Sequence, residues 1–264
     1  MRLMQVKSGL FAVICVALLT AASAVSAHTN SVGYEYRRVA HTRVHVVTVD
    51  LNDPAVAVTL VIARDGIGNA ESFGSMVRRS HADAAVTGTF FGVKCLLPIG
   101  NLVRDGQLLC PVATGTTLAI TRDNRVVVLP TRANQILDWS PYSAALFTGP
   151  TLLRNGKHAV DPAAEGFHDR GHFRPARHTA IGIRPNNKLL LVAVAYPVSL
   201  SRMAAVMKAL GARDAFALDG GTSTALHYRG STLVRPGRAL THILAIYANG
   251  RPPVLAAMPA PPSG

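Results

Sequence analysis

The run Ala217-Leu218-Asp219-Gly220-Gly221-Thr222-Ser223-Thr224 places a lone carboxylate, two glycines and three small hydroxyl residues directly behind an apolar segment, Ala215-Phe216-Ala217-Leu218. A carboxylate at the point where a buried strand emerges has its position fixed by the sheet behind it. Paired glycines let the backbone take positive φ and approach a ligand closely. Their amides can converge on an anion. Asp219, the amides of Gly220 and Gly221, and the hydroxyls of Thr222 and Ser223 together suit a reacting, charged substrate. The same residues also suit a tight turn between two strands, with Asp219 bonding the turn backbone.

Arg177 and His178 are the candidates to assist Asp219. A guanidinium is a natural donor to phosphate oxygens, and an imidazole titrates near neutrality and can carry a proton. The competing readings are a solvent-facing arginine and a structural histidine at the start of a strand. Ser223 is read as a hydrogen-bond donor and not as a nucleophile, because no GxSxG elbow or ordered triad surrounds it. Phe90 and Phe91 are adjacent and face opposite ways in a strand, one toward the core and the other available to floor a site. Phe91 is assigned to the site, with Thr87 and Gly88 lining the same pocket. His168, Asp169 and His172 stand in a loop with Gly166 and Gly171 that is either a lid or a polar surface loop, and Asp169 is the reserve second carboxylate. No CxxC or HExxH occurs, and neither a metal site nor a cofactor motif is expected.

These residues must be held by a scaffold made mostly of strands. Valine-rich Arg43–Asp50 and the run Ala55–Ala63 flank Asn52-Asp53-Pro54 and read as a hairpin. Further strands are expected at Ala84–Phe91, Thr117–Thr121, Val126–Leu129, Thr151–Arg154, Thr179–Ile183, Leu189–Ala195, Thr224–Tyr228 and His242–Tyr247. A short helix is expected over Ala70–Ser80 with Asn69 as its cap. A stronger one runs over Ser199–Leu210, with Leu200, Met203, Val206, Met207 and Leu210 as its apolar stripe and Gly211 ending it. The fold class is α+β: a single domain of mixed, mostly antiparallel sheet with a few helices, over residues 36–249.

Residues 1–27 read as a signal peptide: Arg2 and Lys7 precede the apolar run Gly9–Leu19, and Ala22-Ser23-Ala24 and Val25-Ser26-Ala27 offer cleavage sites. That run is short for a membrane span, which needs about 20 residues. The expectation is a secreted or periplasmic protein with no stable membrane anchor after cleavage. Residues 250–264 are Ala/Pro-rich and read as a disordered tail. The formal net charge of +13 favours anionic partners: phosphates, acidic glycans or anionic lipid. Nucleic acid is not expected, because the basic residues are spread along the chain and few aromatics accompany them. Cys95 and Cys110 flank the hairpin signal Asp105-Gly106 and, in an exported chain, are expected to form a disulfide.

Several of these features occur in a recognisable order: Thr87-Gly88-Thr89-Phe90-Phe91, Pro98-Ile99-Gly100 with Asp105-Gly106, Thr148-Gly149-Pro150, Arg177-His178-Thr179-Ala180-Ile181-Gly182, and Leu218-Asp219-Gly220-Gly221-Thr222-Ser223. In this the chain resembles the phosphodiester glycosidase family over roughly residues 40–248. The family pattern reads NGGFF, RTAIG and LDGGGS. Here Thr87 stands in place of Asn, His178 in place of the Arg before Thr179, and Thr222 in place of the third Gly. The resemblance implies a mixed α+β fold and hydrolysis of a sugar-1-phosphodiester or a related glycosidic bond. It also implies that Gly149 and Thr179 join the substrate-binding residues. The alternative is a non-catalytic envelope glycan-binding protein on the same fold.

The leader pattern makes a direct prediction. Exported protein should begin between Ser23 and Asn30, as read by N-terminal sequencing; an intact Met1 on a cytosolic product would overturn the leader.

Overall fold

The computed structural model describes residues 31–111, 115–132 and 135–250, and Arg170 by its backbone alone. The leader at 1–27 and residues 251–264 of the tail lie outside the described residues. The chain opens with β1 (Val32–Val39), β2 (Thr42–Asp50) and β3 (Ala57–Ile62), then helix α1 (Phe73–Ser80) and β4 (Ala84–Thr87). The middle holds β5 (Leu102–Arg104), β6 (Gln107–Cys110), β7 (Gly115–Thr121), β8 (Val126–Thr131), β9 (Tyr142–Phe147), β10 (Thr151–Arg154) and β11 (Lys157–His158). A short 3-10 turn at Arg170–Phe173 precedes β12 (Ala176–Arg184), β13 (Lys188–Val198), helix α2 (Leu200–Ala209) and β14 (Asp214–Ala217). A second such turn, Gly221–Ser223, leads to β15 (Leu226–Tyr228), β16 (Ser231–Val234) and β17 (His242–Tyr247).

The strands form three sheets, ordered β1-β2-β13-β12-β14-β10-β11, β16-β15-β4-β17-β3 and β6-β5-β9-β7-β8. The expected α+β domain of mostly antiparallel sheet is what the chain forms. One apolar core is shared by all three, with Val47, Ile181, Leu191 and Phe216 from the first, Leu60, Val86 and Leu244 from the second, and Leu118 and Leu146 from the third. The first sheet is buried on its other face too. There Val192, Leu190 and Ala215 meet Met203, Val206 and Met207 of α2. This explains why β13 reads as an unbroken apolar run, while a strand buried on one face would alternate. Helix α1 covers the second sheet in the same way, through Phe73, Met76 and Val77 against Val61, Ala85 and Ile243.

β1 begins at Val32 and pairs with β2 from Val32↔Val49 to Val39↔Thr42. Three expectations change. β2 and β3 are not a hairpin, because β2 pairs with β1 and β13 while β3 pairs with β17. Their valine faces pack toward the shared core from different sheets, and the turn between them carries the chain across. Helix α1 is capped by Ser72, whose Oγ accepts from the Ser75 amide at 3.2 Å. Asn69 instead donates to the Asp65 carbonyl. The β5–β6 hairpin forms at Asp105-Gly106, yet Cys95 and Cys110 remain separate thiols. The Cys110 thiol sits 3.4 Å from the Pro98 carbonyl and Cys95 turns toward the Gly92 carbonyl.

Gly182 in β12 faces α2, where an added Cβ would lie 2.5 Å from the Met207 methyl and 3.2 Å from the Ala212 Cβ. Gly182→Ala should therefore lower stability by about 1–3 kcal/mol through overpacking. Urea unfolding should show a reduced midpoint with unchanged slope. An unchanged midpoint would mean that α2 is not seated on β12 in this way.

Candidate functional site

β14 is the strand that presents Asp219. It runs between β12 and β10, and its end is held by backbone bonds from three directions. The Ala217 amide donates to the Pro150 carbonyl at 3.0 Å, and the Gly149 amide donates to the Ala217 carbonyl at 2.8 Å. The Leu218 amide donates to the Thr179 carbonyl at 2.9 Å. The Asp219 amide then leaves the first sheet and donates to the Gly88 carbonyl at 3.1 Å, just past the end of β4. The glycine-containing motifs thus meet around one carboxylate.

These glycines act through close approach. A Cβ on Gly88 would sit 2.3 Å from the His242 ring, one on Gly149 would sit 2.5 Å from the Phe90 ring, and one on Gly220 would sit 2.9 Å from the Arg177 carbonyl. Only Gly221 of the Gly220-Gly221 pair takes positive φ, +57°, with open space around it. His242 is the wall behind Gly88. Its Nε2 accepts from the Thr89 amide at 2.9 Å, and full burial pushes its pKa down to about 3, so it stays neutral.

Asp219 is 5% exposed. Its Oδ1 accepts from the Gly220 amide at 2.9 Å, and its Oδ2 makes no hydrogen bond but lies 3.5 Å from Nη2 of Arg238. Burial raises its pKa to about 6, despite the opposing pull of the Ser223 hydroxyl, Arg238 and the Gly220 amide. Arg238 is itself held in place: its Nε donates to the Ser223 Oγ at 2.7 Å and its guanidinium lies 4.8 Å above the Phe91 ring. The loop carrying it is tied down by the Gly237 amide, which donates to the Thr222 carbonyl at 2.7 Å.

A cavity of about 530 Å³ opens over Asp219. Gly220, Gly221 and Thr222 line it together with His178, Arg238 and Phe91. His178 is buried, and its Nε2–H donates to the Val198 carbonyl at 2.8 Å, which leaves Nδ1 as the acceptor. That Nδ1 lies on the Gly220 side, 3.6 Å from where a Gly220 Cβ would be. Burial lowers the His178 pKa, with His172 adding to the effect and the Val198 bond opposing it, so the ring is neutral at pH 7. Phe90, Phe147 and Phe167 supply aromatic wall. Gly166, Phe167, His168, Asp169, Gly171 and His172 of one loop also line the cavity. His172 meets Phe90 and Phe167 edge-on at 5.2 and 5.1 Å.

Other expected residues sit elsewhere. Arg177 turns away from the cavity, and its Nη2 donates to the carbonyls of Thr224 and Arg235. It braces the turn, and Arg238 is the guanidinium beside Asp219. Thr87 and Thr179 are buried in β4 and β12, and neither they nor Gly88 and Gly149 line the cavity. Ser223 is fully buried and serves Arg238. Asp169 lines the cavity rim, with its Oδ1 accepting from the Gly171 amide as cap of the first 3-10 turn. Glu165 also lines the cavity but is spent on β10: its two oxygens accept from the Thr151 amide and hydroxyl at 2.9 and 2.8 Å. Among the described residues no cluster of metal-ligating side chains occurs, and no helix is long and apolar enough to cross a membrane. Arg238 is the residue that sequence reasoning missed. Its one signal is the basic turn Arg235-Pro236-Gly237-Arg238 ahead of the last strand.

Solved structures that share this fold include the following. The catalytic domain of zebrafish N-acetylglucosamine-1-phosphodiester alpha-N-acetylglucosaminidase, auto-inhibited by its pro-peptide, matches with a TM-score of 0.64 and 20% identity over 82% of each chain. A hypothetical protein of Synechocystis matches at 0.63 and 16% identity over 81% of this chain, which spans 61% of that protein. A Burkholderia pseudomallei protein provisionally assigned as exported matches at 0.60 and 16% identity, over 77% of this chain and 73% of its own. No curated protein matches the chain. The family model for phosphodiester glycosidases matches residues 80–247, which hold Asp219, His178, Arg238 and the glycines that fix them, and this chain belongs to that family.

Proposed function

We propose that the protein is an exported hydrolase that cleaves the anomeric C–O bond of a sugar-1-phosphodiester in an envelope or extracellular glycan. The observation that carries this reading is that the cavity offers one uncommitted buried carboxylate, Asp219, with a guanidinium beside it. Glycoside cleavage with an alkoxide leaving group ordinarily takes two carboxylates, one of them a proton donor. A phosphate monoester leaves as a stable anion and needs less protonation. An arginine facing it is then more useful than a second acid.

In this reading Asp219 stabilises positive charge at the anomeric carbon, and Arg238 with the Gly221–Ser223 turn faces the departing phosphate. The His178 Nδ1 takes the proton of the attacking water, whose oxygen bonds to the carbon as the C–O pair leaves with phosphate. The phenylalanine walls suit the apolar face of a sugar ring. Thr87, where the family pattern has Asn, is buried and does not line the cavity.

Asp219→Asn should lower kcat on an activated aryl sugar phosphodiester about a hundredfold or more, roughly 3 kcal/mol, with little change in KM. Activity within a few-fold of wild type would sink the mechanism. His178→Gln should flatten the pH–rate profile where wild type rises with loss of a proton.

The same Asp219→Asn change should stabilise the fold at neutral pH. Below about pH 4 Asp219 is protonated in both states and contributes nothing. Between about pH 4 and 6 the folded protein holds a proton that the unfolded chain releases, so stability falls as pH rises. Above pH 6 the full penalty applies, about 2–3 kcal/mol for a shift from 3.8 to about 6. Thermal unfolding should show the Asn variant more stable than wild type at pH 7.5 and equal to it near pH 4. Equal stability at both would mean that the carboxylate is not buried at a cost.

A further inference from the structure

At the tip of the β1–β2 hairpin, Arg38, His41, Arg43 and Tyr196 line an open cavity of about 350 Å³. Arg38 and Arg43 are direct cross-strand partners. Like charges in that position repel and weaken the pairing. Among the described residues no carboxylate pairs with either, and the neighbouring Glu35 is taken by Arg37. Between them the two turn residues, Ala40 and His41, both take positive φ, +45° and +60°. Such a two-residue turn favours Asn-Gly, and residues with a Cβ are strained there. The tip is nevertheless held: the Arg202 Nη1 and Thr42 Oγ1 both donate to the Ala40 carbonyl. The Tyr196 hydroxyl accepts from the Arg43 amide at 2.6 Å. Tyr36 and Tyr196 stand 55% and 40% exposed beside the arginines.

The position of this cluster gives it a use. Tyr196 lies in β13 two residues before Val198, whose carbonyl holds the His178 ring, and Leu200 beyond it lines the large cavity. The short stretch of chain from Tyr196 to Leu200 thus links the hairpin tip with the wall of the large cavity. We infer that the hairpin tip is a secondary binding site for a polyanionic glycan, with Arg38, His41 and Arg43 holding its charged groups and the two tyrosines stacking on its sugar rings. The choice of glycan over nucleic acid rests on the glycosidase reading, while the binding itself does not depend on turnover.

Affinity electrophoresis in gels containing phosphorylated dextran tests this. Wild type should be retarded relative to gels with neutral dextran, and the retardation should fall steeply between about 50 and 200 mM salt. The double variant Arg38→Glu/Arg43→Glu should bind at least about tenfold more weakly, and Arg38→Gln/Arg43→Gln should weaken binding in the same direction. Both should keep wild-type thermal unfolding and turnover of a small phosphodiester within twofold. The charge-matched control Arg78→Glu/Arg132→Glu, at exposed positions elsewhere, should bind nearly as wild type. Equal weakening in the control would reduce the effect to net charge and overturn the site. Tighter binding to single-stranded DNA than to phosphorylated dextran would overturn the glycan assignment. Loss of small-substrate turnover in wild type itself would instead sink the glycosidase reading and leave the binding result standing.

Discussion

One carboxylate buried where two sheets meet is the constraint on which the rest depends. Asp219 leaves the first sheet and is caught at once by the Gly88 carbonyl from the end of β4, in the second. Its charge is opposed by burial and only partly compensated by Arg238 and the Gly220 amide, which is why its pKa rises instead of falling. Such a group would relax toward solvent if its backbone could move. It is prevented from doing so by the bonds at Ala217, Leu218 and Asp219, and by Phe216 and Leu218 in the shared core. The three-sheet architecture is thus what makes an unfavourable charge possible, and an unfavourable buried charge in a cavity is what marks it as a candidate site.

The parts of this arrangement that were legible in the sequence are those in which backbone approaches backbone. Gly88, Gly149 and Gly220 each stand where a Cβ would collide with a neighbouring motif, so the contact constrains the residue type at that position and leaves a mark in the sequence. The same holds for α2, whose Ser199 cap and apolar stripe specify both its start and its buried face. The strand pairings were less legible. Val47 and Val49 in β2 and Val58 and Leu60 in β3 face one core from two sheets, and that pattern looks the same as a hairpin until a third element separates them.

Arg238 and Arg177 show the other limit. Both are arginines near turns, and nothing in their local sequence distinguishes a brace from a site residue. The difference is made by long-range geometry: Arg177 sits where the Thr224 and Arg235 carbonyls converge, while Arg238 is drawn under the cavity by Ser223, Phe91 and the tether of Gly237 to Thr222. Cys95 and Cys110 make the same point. Their spacing around a hairpin is compatible with a bridge, but in the fold Cys110 turns to Pro98 and Cys95 to Gly92.

The electrostatics of the molecule work on two length scales. The surplus of lysine and arginine acts through solvent, attracts anions of many kinds, and fades over about 10 Å in 0.1 M salt. It brings substrates in without choosing among them. The Asp219–Arg238 pair acts inside a wall of phenylalanines, where screening is weak and direction matters. The loop over the cavity joins the two regimes. Glu165 fixes its near end to Thr151 through two hydrogen bonds, and His172 closes against Phe90 and Phe167. These contacts hold Glu165 and His172 against the wall that Phe90 and Phe167 give the cavity. On the proposed reading, an anion attracted at long range is sorted in the cavity by whether its negative charge falls on the Arg238 side and its developing positive charge on the Asp219 side.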